Sequence, residues 1–202
     1  MPSIYDIKPK FQNLLRPLTK KLATNGITAN QVTLAALVLS LLTGIALIFS
    51  GKQTGIYLLV PLVLFVRMAL NAIDGMLARE HDMKSPLGAI LNELCDVISD
   101  VALYLPFALL PEISLWIIVL LVIAAIISEM TGVIAIQIGA SRRYDGPMGK
   151  SDRAFVFGAL ALALGLGMPS GSWLNELFGF VLLLTLATIY NRARQALTEI
   201  QA

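Results

Sequence analysis

The chain has 202 residues, 57% of them hydrophobic and only 14% charged, where soluble globular domains carry roughly 25% charged residues. That excludes an ordinary soluble enzyme and predicts an all-α integral membrane protein, with one domain over 1–202. A formal charge of +2 gives no reason to expect a nucleic-acid partner, and a single cysteine, Cys95, excludes an intrachain disulfide.

Residues 4–24 open the pattern. Ile4, Ile7, Phe11, Leu14, Leu15, Leu18 and Leu22 recur at helical spacing, with Lys8, Lys10, Arg16, Lys20 and Lys21 between them. This predicts a basic amphipathic helix on the membrane surface, bent at Pro9 or Pro17 and ended by Gly26. Region 1–26 is therefore read as an interfacial helix. The first residues are polar and basic and carry no apolar signal-peptide core.

A six-helix bundle is predicted over 32–195, its segments each close to the roughly 20 residues that a bilayer requires. They fall at Val32–Ser50, Ile56–Arg79, Leu87–Leu110, Leu115–Ile138, Ala154–Met168 and Trp173–Tyr190, the fifth being the shortest. Gly51, Pro111, Pro147 and Pro169 break the short loops between them. Basic residues set the topology. With a cytoplasmic N-terminus, one side collects Lys8, Lys10, Arg16, Lys20, Lys21, Arg79, Lys84, Arg142, Arg143, Lys150, Arg153, Arg192 and Arg194, and the other only Lys52. Both termini and the polar centre are thus expected to face the cytoplasm.

That polar centre lies between Arg67 and Asp100. Asn71, Asp74 and Ala78 share one helix face, and Gly88, Asn92, Asp96 and Asp100 share another. Two such faces joined by a short turn can converge carboxylates and amides on one point. Ionisable residues inside a membrane are costly and default to a functional reading; interhelical ion pairs or a water-filled vestibule are the structural alternative. Arg67, one turn before Asn71, is expected to pair with a carboxylate. Glu129, alone on the fourth span, fits a packing hydrogen bond or a site role equally well. Carboxylates brought together from two helices repel unless a cation lies between them. Oxygen ligands without His or Cys point to Mg²⁺, Mn²⁺ or Ca²⁺ rather than zinc. The one histidine, His81, is expected to be solvated in the turn. Gly75 and Gly88 suit close approach of a bulky ligand to the backbone, and Arg79 offers a planar fork for phosphate. A second basic cluster spans Ser141–Arg153. Arg142 is explained there by topology and headgroup contacts alone, whereas Lys150 and Arg153 are better placed to hold an anionic group.

The stretch resembles the signature of the CDP-alcohol phosphatidyltransferases, D-x-x-D-G-x-x-A-R, eight residues, then G-x-x-x-D-x-x-x-D. Here it stands as Asn71-x-x-Asp74-Gly75-x-x-Ala78-Arg79, eight residues, Gly88-x-x-x-Asn92-x-x-x-Asp96. G-I-T-A-N-Q-V-T-L before the first span, the surface helix with six spans, and G-K-S-D-R-A at 149–154 are similar to family features as well. Among members it looks most like bacterial inner-membrane proteins. The resemblance implies a membrane enzyme of phospholipid synthesis. A CDP-alcohol, commonly CDP-diacylglycerol, is attacked at its β-phosphorus by an acceptor hydroxyl, and CMP leaves. By position, Asn71, Asp74, Asn92 and Asp96 would hold one or two Mg²⁺ or Mn²⁺ ions, with Asp100 as a compensating ligand. Asp96 would be the general base. Asp74, Gly75, Ala78, Arg79 and Gly88 would surround the CDP group, and Arg143, Lys150 and Arg153 would contact a polar, phosphorylated acceptor alcohol. Membrane lipids and a second copy of the chain, as a homodimer, are the other implied partners. The first and third aspartates of the pattern are asparagine here, which removes two formal negative charges. A relative that binds CDP-lipid or a divalent cation without turnover is therefore the alternative. A cation or proton transporter would leave Gly75, Ala78, Arg79 and Gly88 unexplained.

Overall fold

The computed structural model describes residues 4–51 and 53–201. Expectations for Lys52, and for the side chains of Ile4, Ile7 and Lys8, lie outside the described residues. Among the described residues seven α-helices follow in order: α1 Ile4–Thr24, α2 Ala29–Phe49, α3 Leu59–Glu80, α4 Pro86–Tyr104, α5 Leu115–Ile134, α6 Lys150–Gly165 and α7 Trp173–Gln201. Short 3₁₀ turns precede α3 at Thr54–Leu58, follow α4 at Leu105–Leu109 and follow α5 at Ala135–Ile138. No strand occurs among the described residues. The helices contribute to two compact units. One gathers the chain up to Leu42 with Leu62–Ser99; the other takes Thr43–Pro61 and everything from Asp100 onward.

In the first unit, local sequence sets the helix ends. Gly26 takes φ 75° and closes α1 in a Schellman turn, with Ile27 N–H donating to Leu22 O at 3.0 Å. Thr28 and Gln31 then form a capping box that starts α2: Gln31 N–H donates to Thr28 Oγ1 at 3.3 Å, and Thr28 N–H to Gln31 Oε1 at 2.9 Å. Asp82 turns the chain between α3 and α4 at φ 55°, a conformation that Asp tolerates better than most residues. Ser85 accepts the Gly88 N–H at 2.9 Å and caps α4, and Pro86 fills its first position, where no donor is lost. Ala29, Val32, Ile73, Met76 and Leu77 make the core, with Leu15, Leu22 and Ala23 of α1 packed on it. Helix α1 continues through both Pro9 and Pro17. Phe11 meets Phe65 edge-on at 6.3 Å, and Arg16 pairs with Glu80 at 3.0 Å. Leu14 and Leu18 stay exposed on its other side.

The second unit is centred on aromatic rings. Phe107 packs edge-on against Tyr57 and Phe157, Tyr104 stacks on Phe157 at 4.0 Å, and Phe178 closes the group. Such pairs each contribute about 0.5–1.5 kcal/mol beyond the area they bury. Gly139 at φ 89° ends the turn after α5. The loop from there to Gly149 returns along α5, where Arg143 N–H donates to Gly132 O at 3.1 Å. A Cβ on Gly132 would stand 2.6 Å from Arg143 O, so this approach requires glycine.

Among the described residues four stretches are long and apolar enough to cross a membrane: Ala29–Phe49, Thr54–Glu80, Leu115–Ile138 and Trp173–Gln201. The two other expected spans differ for identifiable reasons. Helix α4 carries Glu93, Asp96 and Asp100 within its 19 residues, and α6 is only 16 residues long and begins Lys-Ser-Asp-Arg.

Candidate active site

Helices α3 and α4 meet in the first unit around Asp96. Asn71 donates its Nδ2 hydrogen to Asp96 Oδ1 at 3.0 Å. Arg67, one turn earlier on α3, is 3% exposed; its Nη2 stands 3.5 Å from the same Oδ1 and 3.4 Å from the Asp96 backbone oxygen. A buried guanidinium needs a partner, and the expected pairing with a carboxylate is what the structure contains. Asp74, also buried, is held from α2: Thr33 Oγ1 donates to Asp74 Oδ2 at 2.8 Å.

The surrounding positions fall as follows. Arg79 is exposed and folds back over Gly75, where a Cβ would stand 2.8 Å from its Nη2. The space left by Gly75 thus accommodates the guanidinium of the next turn. Gly88 faces Asn30 and Ser85. Ala78 packs on the core, and Asn92 is half-buried on α4. Asp100 is buried on the same helix but belongs to the second unit. His81 is half-buried in the turn. The structure thus joins Asn71 and Asp96 directly, together with Arg67, and joins Asp74 to Thr33.

The second basic cluster is organised by Glu129, not by an open surface. Arg153 Nη2 donates to Glu129 Oε1 at 2.8 Å and its Nη1 to Met148 O at 3.0 Å; Arg192 Nη1 lies 3.2 Å from Glu129 Oε1 and donates to Ser128 O at 2.6 Å. Both guanidiniums are at most 2% exposed. Arg142 stands 3.8 Å from Glu129 Oε2. Arg143 instead binds Asp145 and Glu199, and Lys150 is half-buried at the start of α6. The Arg143 hydrogen bond holds the Asp145 carboxyl below its ordinary range. The three residues expected to share an acceptor phosphate are therefore engaged differently, with Arg153 committed inside the protein.

Sequence reasoning missed Thr33, Ser85 and Arg192. Thr33 lies within G-I-T-A-N-Q-V-T-L, read only as a family likeness, and Arg192 was counted only as a topology charge. Ser85 precedes Pro86, a helix-start signal that spacing of polar faces does not include.

Residues 26–190 match the family model described as CDP-alcohol phosphatidyltransferase. The inner membrane protein YnbA of Escherichia coli (strain K12) is 50% identical over 195 residues, 96% of each chain. The archaetidylinositol phosphate synthase of Pyrococcus horikoshii is 32% identical over 103 residues, 51% of this chain and 52% of that one. Among solved structures, a crystal structure of Mycobacterium tuberculosis phosphatidylinositol phosphate synthase in complex with manganese and citrate superposes with a TM-score of 0.74 at 19% identity, covering 90% of this chain and 88% of that one. The same protein with CDP-DAG bound also gives a TM-score of 0.74, covering 89% and 92%. The fold is shared.

Proposed function

The chain belongs to the CDP-alcohol phosphatidyltransferase family, and from that premise we propose that it moves the phosphatidyl group of CDP-diacylglycerol to an acceptor hydroxyl in phospholipid synthesis, releasing CMP. The observation that carries the reading is Asp96, oriented by Asn71 within the signature spacing. The Asn71 hydrogen bond orients the Asp96 carboxylate, which in this reading takes the proton of the acceptor hydroxyl. In the step, the acceptor oxygen bonds to the β-phosphorus, the bond to CMP breaks, and the hydroxyl proton passes to Asp96. Gly75, Ala78, Arg79 and Gly88 bind the CDP group, Arg79 by its exposed fork. Arg143 and Lys150 are the proposed contacts of an anionic acceptor, and Arg153 is held in its Glu129 pair.

The residues fit a hard divalent cation. Asp74, Asp96 and the amide oxygens of Asn71 and Asn92 are all oxygen donors, and Mg²⁺ is commonly held by one or two carboxylates with substrate phosphates completing its shell. Among the described residues no group of three or more His, Cys, Asp or Glu is arranged for a metal, so the site depends on fewer carboxylates than the four-aspartate pattern. A bound Mg²⁺ or Mn²⁺ would neutralise the diphosphate and the departing CMP. Manganese and CDP-DAG in the mycobacterial fold neighbour support this ligand pair.

The domain is proposed to act as one unit of function over 1–202 in the bacterial inner membrane, with six spans, α1 on the cytoplasmic surface and both termini cytoplasmic. The location of the 50% identical relative and the four long apolar stretches support it. A catalytically silent binder is the second reading, favoured by Asn71 and Asn92. Purified protein given CDP-diacylglycerol, Mn²⁺ and a panel of acceptors, water included, separates the two. Acceptor-dependent product supports transfer; CDP-lipid binding without product, and product only after Asn71→Asp with Asn92→Asp, supports the binder.

A further inference from the structure

We propose that the guanidinium of Arg67 stands in for a second divalent ion at Asp96, so that this is a single-ion site; the proposal rests on the transfer reading above. Arg67 is 3% exposed and approaches both Oδ1 and the backbone oxygen of Asp96, at 3.5 and 3.4 Å. The same Oδ1 accepts the Asn71 amide hydrogen at 3.0 Å. An ion on that oxygen would share it with the amide hydrogen and lie against a buried positive charge. Like-charge repulsion at such a separation is large even with an effective dielectric of about 20.

Chain geometry makes the arrangement permanent. Arg67 and Asn71 are one turn apart on α3, so both reach the α4 carboxylate from one face. The pairing also explains the amide at 71. An aspartate there would place a second carboxylate at Asp96 and Arg67, whereas Asn71 supplies a hydrogen and no charge. Asp74 and Asp96 with Arg67 leave one net negative formal charge. One divalent ion reverses the charge of these three groups and leaves them positive toward a diphosphate. Arg67 therefore supplies, as a fixed covalent part of the chain, charge that a second ion would otherwise bring.

The test is Mn²⁺ binding to the full-length protein in detergent, by equilibrium dialysis and electron paramagnetic resonance, with Mn²⁺ alone and with Mn²⁺ plus CDP. Wild type is expected to bind one ion per chain with no Mn–Mn coupling. Asn71→Asp with Asn92→Asp is expected to stay at one, because Arg67 is still present. Adding Arg67→Met to that pair is expected to raise the count to two with a coupled spectrum, and Arg67→Lys in its place to keep it at one. Two coupled ions in wild type or in the Asn71→Asp, Asn92→Asp protein would overturn the proposal, and these two proteins decide it even if the Arg67→Met form does not fold. Two ions with metal-dependent CMP release would remove the Arg67 inference alone. No Mn²⁺ bound and no CMP released would remove the transfer reading with it.

Discussion

At the scale of residues, the account depends on two carboxylates held by different means. Asp96 is oriented by Asn71 and Arg67 from α3, and Asp74 by Thr33 from α2. A hydrogen bond to a charged group contributes about 1.5–3 kcal/mol. Thr33→Val is therefore predicted to raise the Mn²⁺ concentration for half-maximal CMP release by about tenfold or more, with Thr33→Ser close to wild type. Equal metal dependence in Thr33→Val and wild type would show that the hydroxyl does not position Asp74. Asn71, Asp74 and Asp96 were legible in the sequence because helical spacing puts them on interior faces. Thr33 was not, since it reaches Asp74 from another helix, 41 residues earlier. Spacing along one helix does not encode which turn of a neighbour it meets.

At the scale of elements, α5, α6 and α7 are tied by a carboxylate and two buried guanidiniums. Removing one partner of a buried ion pair costs about 3–5 kcal/mol, because the other charge is left without compensation. Glu129→Ala is predicted to lower the thermal midpoint in detergent markedly, and Glu129→Asp much less; an unchanged midpoint in Glu129→Ala would show that the cluster does not hold the helices. The loop before α6 has its own tie, Arg143 to Asp145 at 2.7 Å. Since Asp145 is held below its ordinary 3.8 by the Arg143 hydrogen bond, its stabilising contribution is present above that pH. It is lost as pH falls through the lowered value. The thermal midpoint gap between wild type and Asp145→Asn is predicted to be the same at pH 7 and pH 5 and to close below 3.8. A gap that already closes between pH 7 and pH 5 would contradict the assignment. The basic residues of this loop were visible in the sequence, but not their partners: Glu129 lies 24 residues before Arg153 and Glu199 lies 56 after Arg143. Sequence shows where charge is, and only packing shows which charges are already neutralised.

For the whole molecule, the hydrophobic pattern marked the long apolar stretches of α2, α3, α5 and α7, but α7 runs on to Gln201, past the expected Tyr190, because its last turns are polar and carry no apolar run. It did not distinguish the long apolar spans from α4 and α6, whose polar residues serve the two charged centres. The proposed topology rests on composition, with thirteen basic residues assigned to one side and Lys52 to the other. In a Cys95→Ser background, Gln53→Cys is predicted to react with a membrane-impermeant maleimide in intact spheroplasts. Arg194→Cys is predicted to react only after permeabilisation. The reverse pattern would place the signature on the opposite side of the membrane from its proposed nucleotide substrate.

The central claim is that Asp96 acts as a base in a metal-dependent transfer from a CDP-lipid. The measurement is CMP release from CDP-diacylglycerol by purified protein with Mg²⁺ or Mn²⁺, wild type beside Asp96→Asn, with folding of both checked by thermal midpoint. The account predicts release that requires the metal and an acceptor, and that falls about 10²- to 10⁴-fold in Asp96→Asn, the range expected for loss of a general base. Equal release from the two proteins would contradict it.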